Sequence, residues 1–98
     1  CIVLYRSKDL VNWEYDGPIY SPGHTNCPEC PEMYKMGDNW YLSYSRFSEY
    51  VNTIYRVAKS PFGPWRKPKK DGIGGRRFYA AKSMQDDDGR RFYLLRAA

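Results

Sequence analysis

The run Tyr5-Arg6-Ser7-Lys8-Asp9-Leu10-Val11-Asn12-Trp13 returns as Tyr55-Arg56-Val57-Ala58-Lys59-Ser60-Pro61-Phe62-Gly63-Pro64-Trp65, and this echo constrains the fold more than any other feature of the chain. Each copy reads as a strand, a tight turn, and a Trp that opens an outer strand. Trp40-Tyr41-Leu42 is echoed in the same way by Phe92-Tyr93-Leu94. The unit between echoes is about fifty residues, which is the scale of a repeated supersecondary element.

Between the echoes the strand signals are short and closely spaced. Residues 2–6 are apolar and β-branched. Residues 13–15 alternate and then break at Asp16-Gly17-Pro18. Residues 32–35 and 40–45 flank the hairpin chemistry of Gly37-Asp38-Asn39, where Gly and Asn tolerate positive φ. Residues 53–58 form another run, closed by Ser60-Pro61-Phe62-Gly63-Pro64. Residues 78–82 and 92–96 read as a last pair around Asp86-Asp87-Asp88-Gly89. No segment sustains apolar spacing of three and four, so helix is disfavoured throughout. A unit of four short strands has the size of one β-propeller blade. The sequence therefore predicts an all-β chain that is part of a propeller: 1–20 the outer half of one blade, 29–68 a complete four-stranded blade, and 74–98 the inner half of the next. Such a piece has little shared core and open strand edges, so it needs the rest of its own propeller.

Composition agrees. Ten Tyr, four Phe and three Trp supply much of the apolar content, and aromatic rings both fill sheet faces and stack on the C–H faces of sugars. With a mean hydropathy of −0.78 and no apolar run of about 18 residues, the chain is not expected to span a membrane as a helix. It opens on Cys1-Ile2-Val3-Leu4-Tyr5, already inside a strand, with no visible leader. We expect its true start upstream, and its compartment stays open between cytoplasmic and secreted. The net charge of +5 comes largely from Arg66-Lys67-Pro68-Lys69-Lys70, Arg76-Arg77 and Arg90-Arg91. These sit at predicted turns, not on a basic helix or aromatic platform, so no nucleic-acid partner is expected. Cys27-Pro28-Glu29-Cys30 has CxxC spacing, but no second pair follows and the only His is His24. A zinc site from Cys1, His24, Cys27 and Cys30 is one reading. Buried free thiols are the simpler one, with no metal or other cofactor.

The segment Glu29-Cys30-Pro31-Glu32-Met33-Tyr34-Lys35, followed by Trp40-Tyr41-Leu42-Ser43-Tyr44-Ser45, resembles the acid/base region of glycoside hydrolase family 32. That family's five-bladed propellers hydrolyse or transfer β-fructosyl groups. Its signature there is Glu-Cys-Pro-Asp, from which this chain departs only at Glu32. Phe78-Tyr79-Ala80-Ala81-Lys82-Ser83 with Asp87-Asp88-Gly89-Arg90-Arg91 is similar to a later stretch of the family, and residues 5–13 to its Ser-x-Asp-Leu-x-x-Trp corner. Family 43, of arabinosidases and xylosidases, shares part of the pattern, including a corner like Ser60 to Trp65. Cys30 and the Phe-Tyr-Ala-Ala-Lys stretch favour family 32.

The resemblance implies a retaining β-fructosidase in which Glu29 is the acid/base. A glycosidase needs one carboxylic acid to protonate the leaving oxygen and one carboxylate to attack the anomeric carbon. A donor of this kind needs partial burial and an anionic neighbour to hold its proton. Glu32, at the family's Asp position, becomes a secondary contact or a structural acceptor. Cys30, Phe78, Tyr79, Lys82 and Asp71 are candidate substrate contacts. The family usually places a substrate-holding Asp four residues before the Phe, where this chain has Gly74, and Asp71 is the nearest Asp. The family's Asn-Asp-Pro-Asn nucleophile stretch and Arg-Asp-Pro step do not occur here, so the isolated chain should not turn over sugar. The alternatives are a family 43 arabinosidase or xylosidase, a non-catalytic sugar-binding propeller, and the zinc or nucleic-acid module.

Overall fold

The computed structural model describes residues 1–95; the expected strand at 92–96 therefore runs partly outside the described residues. The described chain is all-β, in three antiparallel sheets. β1 (Ile2–Arg6) pairs with β2 (Glu14–Tyr20). β3 (Glu29–Met36), β4 (Asn39–Arg46), β5 (Asn52–Ala58) and β6 (Gly72–Ile73) form a four-stranded sheet in chain order. β7 (Lys82–Gln85) pairs with β8 (Arg91–Leu94).

The four-stranded sheet lies between the two hairpins, and β4 shows why. Leu42, Ser43, Tyr44 and Ser45 are all buried in succession, which a strand achieves only when both its faces are covered. Leu42 and Tyr44, with Ile54 of β5, pack against Ile2, Ile19 and Tyr20 of the first hairpin. Tyr44 and Ile54 are wholly buried, each stabilising the fold by about 1.5–3 kcal/mol. The opposite face carries Ser43, Ser45, Thr53 and Tyr34, and it meets the second hairpin through polar contacts. Tyr34 and Tyr93 share a 2.6 Å hydroxyl contact, and the Arg91 guanidinium lies 3.7 Å from the Tyr34 ring centroid.

Three strands differ from the sequence reading. β2 does not break at Asp16-Gly17-Pro18 but runs through it to Tyr20. Leu4 pairs with Gly17 and Tyr5 with Tyr15, so Asp16 is the extra residue of a bulge, allowed by Gly17 at φ +95°. The Asp16 carboxylate instead accepts from Arg6 Nε at 2.8 Å. Residues 78–81 are not extended, because Arg77 (φ +67°) and Ala80 (φ +58°) turn into the left-handed region; the last hairpin begins at Lys82. After Trp65 there is only a single bridge, Val57 to Arg66, and the fourth strand forms later at Gly72–Ile73. Pro64 and Pro68, having no N–H, cannot serve a longer ladder there.

The Ser-x-Asp corner has a local cause. Asp9 accepts from the backbone N–H of Val11 at 2.9 Å and of Asn12 at 2.8 Å, and from the Ser7 hydroxyl and the Asn12 amide. These donors, the Asn12 N–H foremost, hold its carboxyl well below the usual carboxylate range. A depressed folded-state pKa contributes stability above the unfolded value near 3.8, and that contribution is lost as pH falls through the folded one. The stability gap between the parent protein and Asp9→Ala should therefore stay constant down to about pH 4 and narrow below it. A gap that narrowed already at neutral pH would contradict this cause.

Candidate active site

Glu29 opens β3 on a bulge. It pairs with Ser45 while Glu32 pairs with Ser43, so three steps of β3 face two of β4. Cys30 absorbs the extra residue at φ +50°, an uncommon state for a residue with a Cβ. The Lys82 ammonium caps this kink, 3.3 Å from the carbonyls of both Cys30 and Pro31. The Glu32 carboxylate accepts from the Ser83 backbone N–H at 3.0 Å. Its place is thus structural, while Glu29 remains exposed and makes no side-chain hydrogen bond or ion pair among the described residues. The partial burial expected of a proton donor is not supplied by these residues: Glu29 is exposed.

Phe78 and Ala80 are fixed at the same end of the sheet by hydroxyls of Ser45, which pairs with Glu29, and of Thr53, which pairs with Ser45. Thr53 Oγ1 donates to the Phe78 carbonyl at 2.7 Å, and the Ala80 N–H donates to Ser45 Oγ at 2.8 Å. Tyr79 packs edge-on to Phe47 at 6.1 Å, just past the end of β4. The fold therefore brings Glu29, Cys30, Phe78, Tyr79 and Lys82 to one end of the stack, with Lys82 engaged by backbone rather than free. Residue 74, where the resemblance leads one to seek an Asp, has a physical reason to be Gly. Its φ is +70°, and an added Cβ would lie 2.5 Å from the Phe78 ring. Gly74→Ala should displace Phe78 and cost about 1–3 kcal/mol; an unfolding midpoint equal to the parent's would refute the clash.

Asp71 is placed apart from this group. Its carboxylate lies 2.7 Å from Arg56 Nη1, and the two side chains are 17% and 5% exposed. Arg56 also donates to the Tyr20 hydroxyl at 2.8 Å and lies over the rings of Tyr20 and Tyr44. This network faces β1–β2, across the sheet from Ser45 and the Phe78 loop. Sequence reasoning did not single out Arg56, although a lone Arg inside the apolar run 53–58 was a visible signal. It also passed over Ser48 and Glu49, which carry no pattern at all.

His24 does not join the cysteines. Its Nε2 is 3.2 Å from the Tyr44 hydroxyl and its Nδ1 is 3.5 Å from Glu49, and burial lowers its pKa. Among the described residues no three His, Cys, Asp or Glu side chains converge as metal ligands. Cys1 and Cys27 are exposed and Cys30 is only half-buried, so none of the three is the buried thiol expected. Cys1 and Cys27 lie outside the sandwiched strands, where the cover is thin. Two concavities among the described residues do not include Glu29. One, of about 530 Å³, follows the corner of residues 6–14, and the other, about 240 Å³, is lined by Tyr34, Tyr41, Tyr55, Arg91 and Tyr93.

An acid-bearing bulge at the end of stacked antiparallel sheets, beside an aromatic pair, is an arrangement suited to glycoside chemistry. The model of glycosyl hydrolases family 43 matches residues 1–98, and the chain belongs to that family. Two curated relatives are similar to parts of the chain. The chain is 29% identical over 107 aligned residues to sucrose-6-phosphate hydrolase from Escherichia coli, covering 95% of this chain and 22% of that protein. It is 44% identical over 46 residues to fructan 1-exohydrolase from Bromus pictus, covering 44% of this chain and 8% of the relative. No solved structure matches significantly. The chain thus spans about a fifth or less of the curated relatives' length. The family model is the one that the sequence reading held second, while the relatives' names agree with the one it held first.

Proposed function

We propose that this chain supplies the acid/base end of a retaining glycoside hydrolase acting on β-fructosides of the sucrose, levan or inulin type. Glu29 protonates the leaving oxygen and then deprotonates the water that releases the sugar. The observation that carries this reading is the separation of the two neighbouring glutamates. Glu32 is consumed by the Ser83 N–H, and Glu29 is turned out, beside the anchored Phe78–Lys82 segment. In a retaining enzyme the partner carboxylate stands about 5–5.5 Å away, and in this reading it comes from sequence outside this chain, as does the wall that buries Glu29. The isolated chain is then inactive.

The outer faces support the propeller frame. Val3, Tyr5 and Tyr15 on the first hairpin, and Met84, Phe92 and Leu94 on the last, are exposed. They are surfaces on which further sheets would stack, with 29–68 as the core of one blade and 1–20 and 74–98 as halves of its neighbours in a five-bladed ring. The family 43 match favours a second reading, an arabinosidase or xylosidase using the same acid. In the full-length enzyme, Glu29→Ala should be rescued by azide, giving a glycosyl azide of retained configuration from the best substrate. A variant that keeps its activity and forms no azide product would remove Glu29 from the chemistry.

A further inference from the structure

We propose that Glu49 is a positioning residue for Glu29, holding the segment that leads into the bulge; this rests on the reading of Glu29 as the acid. The β4–β5 turn reaches across to residues 24–26. The Thr25 N–H donates to Glu49 Oε1 at 2.9 Å, and the Asn26 N–H donates to Ser48 Oγ at 3.0 Å. The Ser48 hydroxyl in turn donates to Glu49 Oε2 at 2.6 Å, and His24 Nδ1 lies 3.5 Å from the same oxygen. Two successive backbone N–H groups, three and four residues before Glu29, are thus held by one turn.

That turn is itself anchored. Arg46 Nε donates to the Tyr50 carbonyl at 3.1 Å and to Asn52 Oδ1 at 3.0 Å, and Glu49 sits at φ +62°, a state that costs a non-glycine residue free energy. The Ser48 hydroxyl and the Thr25 N–H hold the Glu49 carboxyl down to about 2, so it accepts both bonds throughout the working pH range. Glu29 makes no side-chain bond within the described residues, so its backbone is the part of it that they hold in place. That backbone is held by Ser45 pairing on one side and by the Glu49 clamp on the other. A misplacement of about 1 Å at a reacting group is enough to slow a reaction by up to about 10²-fold.

The test compares kcat/KM in the full-length enzyme on two glycosides of one sugar, one with a sugar leaving group and one with 4-nitrophenol. The second leaves without a proton, so its ratio to the first reports the acid alone and cancels the amount of folded enzyme. Glu49→Ala should lose about tenfold on the sugar leaving group and under about twofold on nitrophenol. Glu49→Gln, whose amide oxygen can still accept from Thr25, should recover most of that loss. Ser48→Ala should shift the ratio in the same direction. Equal losses on both substrates in Glu49→Ala, or none on either, would overturn the clamp. Glu29→Gln is run in parallel. If it shifts the ratio and Glu49→Ala does not, the clamp alone is wrong; if Glu29→Gln does not shift it, Glu29 is not the acid and the clamp falls with it.

Discussion

In the full-length enzyme carrying this segment, Glu29→Gln should lower kcat/KM on a sugar leaving group by about 10²–10⁴-fold. The amide keeps the size and shape of the side chain but has no proton to give. The bulge should be undisturbed, since Glu29 contributes no side-chain bond that the substitution would break among the described residues. Glu32→Gln is the control that locates the chemistry. It lies three residues on and keeps an oxygen for the Ser83 N–H, so activity should stay near the parent's, with a stability loss of no more than about 1 kcal/mol. Reversed results, with Glu32→Gln inactive and Glu29→Gln active, would exchange the roles of the two carboxylates. Steady-state kinetics on purified variants, with unfolding midpoints measured alongside, distinguishes the cases.

The second large effect concerns stability rather than rate. Asp71→Ala should destabilise the protein by about 3–5 kcal/mol, because it leaves the Arg56 guanidinium buried without its counter-charge. Arg56 is 5% exposed, and its remaining side-chain partner is the Tyr20 hydroxyl, which carries no charge. Replacing both partners with apolar residues of similar size, as in Arg56→Met with Asp71→Leu, should recover most of the loss, since the pair's desolvation cost disappears with it. The same experiment weighs Asp71 as a substrate contact. If Asp71→Ala kept its stability and raised KM, the carboxylate would face sugar. Chemical denaturation of parent, single and double variants, with KM measured on the folded fraction, gives the answer.

How much of this was legible in the residues varies with the range of the forces involved. The hairpin at Gly37 was readable, because a two-residue loop with a glycine at φ +57° is a local demand on the backbone. So were the strands at Trp40 to Ser45 and Thr53 to Ala58, whose aromatic, β-branched and apolar residues favour an extended backbone. The start of the last strand pair was misplaced, because Arg77 and Ala80 adopt a left-handed backbone that their side chains do not announce. The Ala80 N–H and the Phe78 carbonyl close on Ser45 and Thr53, more than twenty residues away, and that pairing leaves no trace in local composition.

The chain's own order of residues determined most of its strands and turns, since these depend on neighbours a few positions apart, whereas the choice of Glu29 over Glu32 came from the resemblance of Glu29-Cys30-Pro31-Glu32 to a family signature. Tertiary structure alone decided that Asp71 belongs to Arg56, that Lys82 spends its ammonium on two carbonyls, and that Glu49 grips the path into β3. The physical reason is that a charge satisfies whatever the fold brings within about 3 Å, and that neighbour is set by sheet stacking, not by sequence spacing.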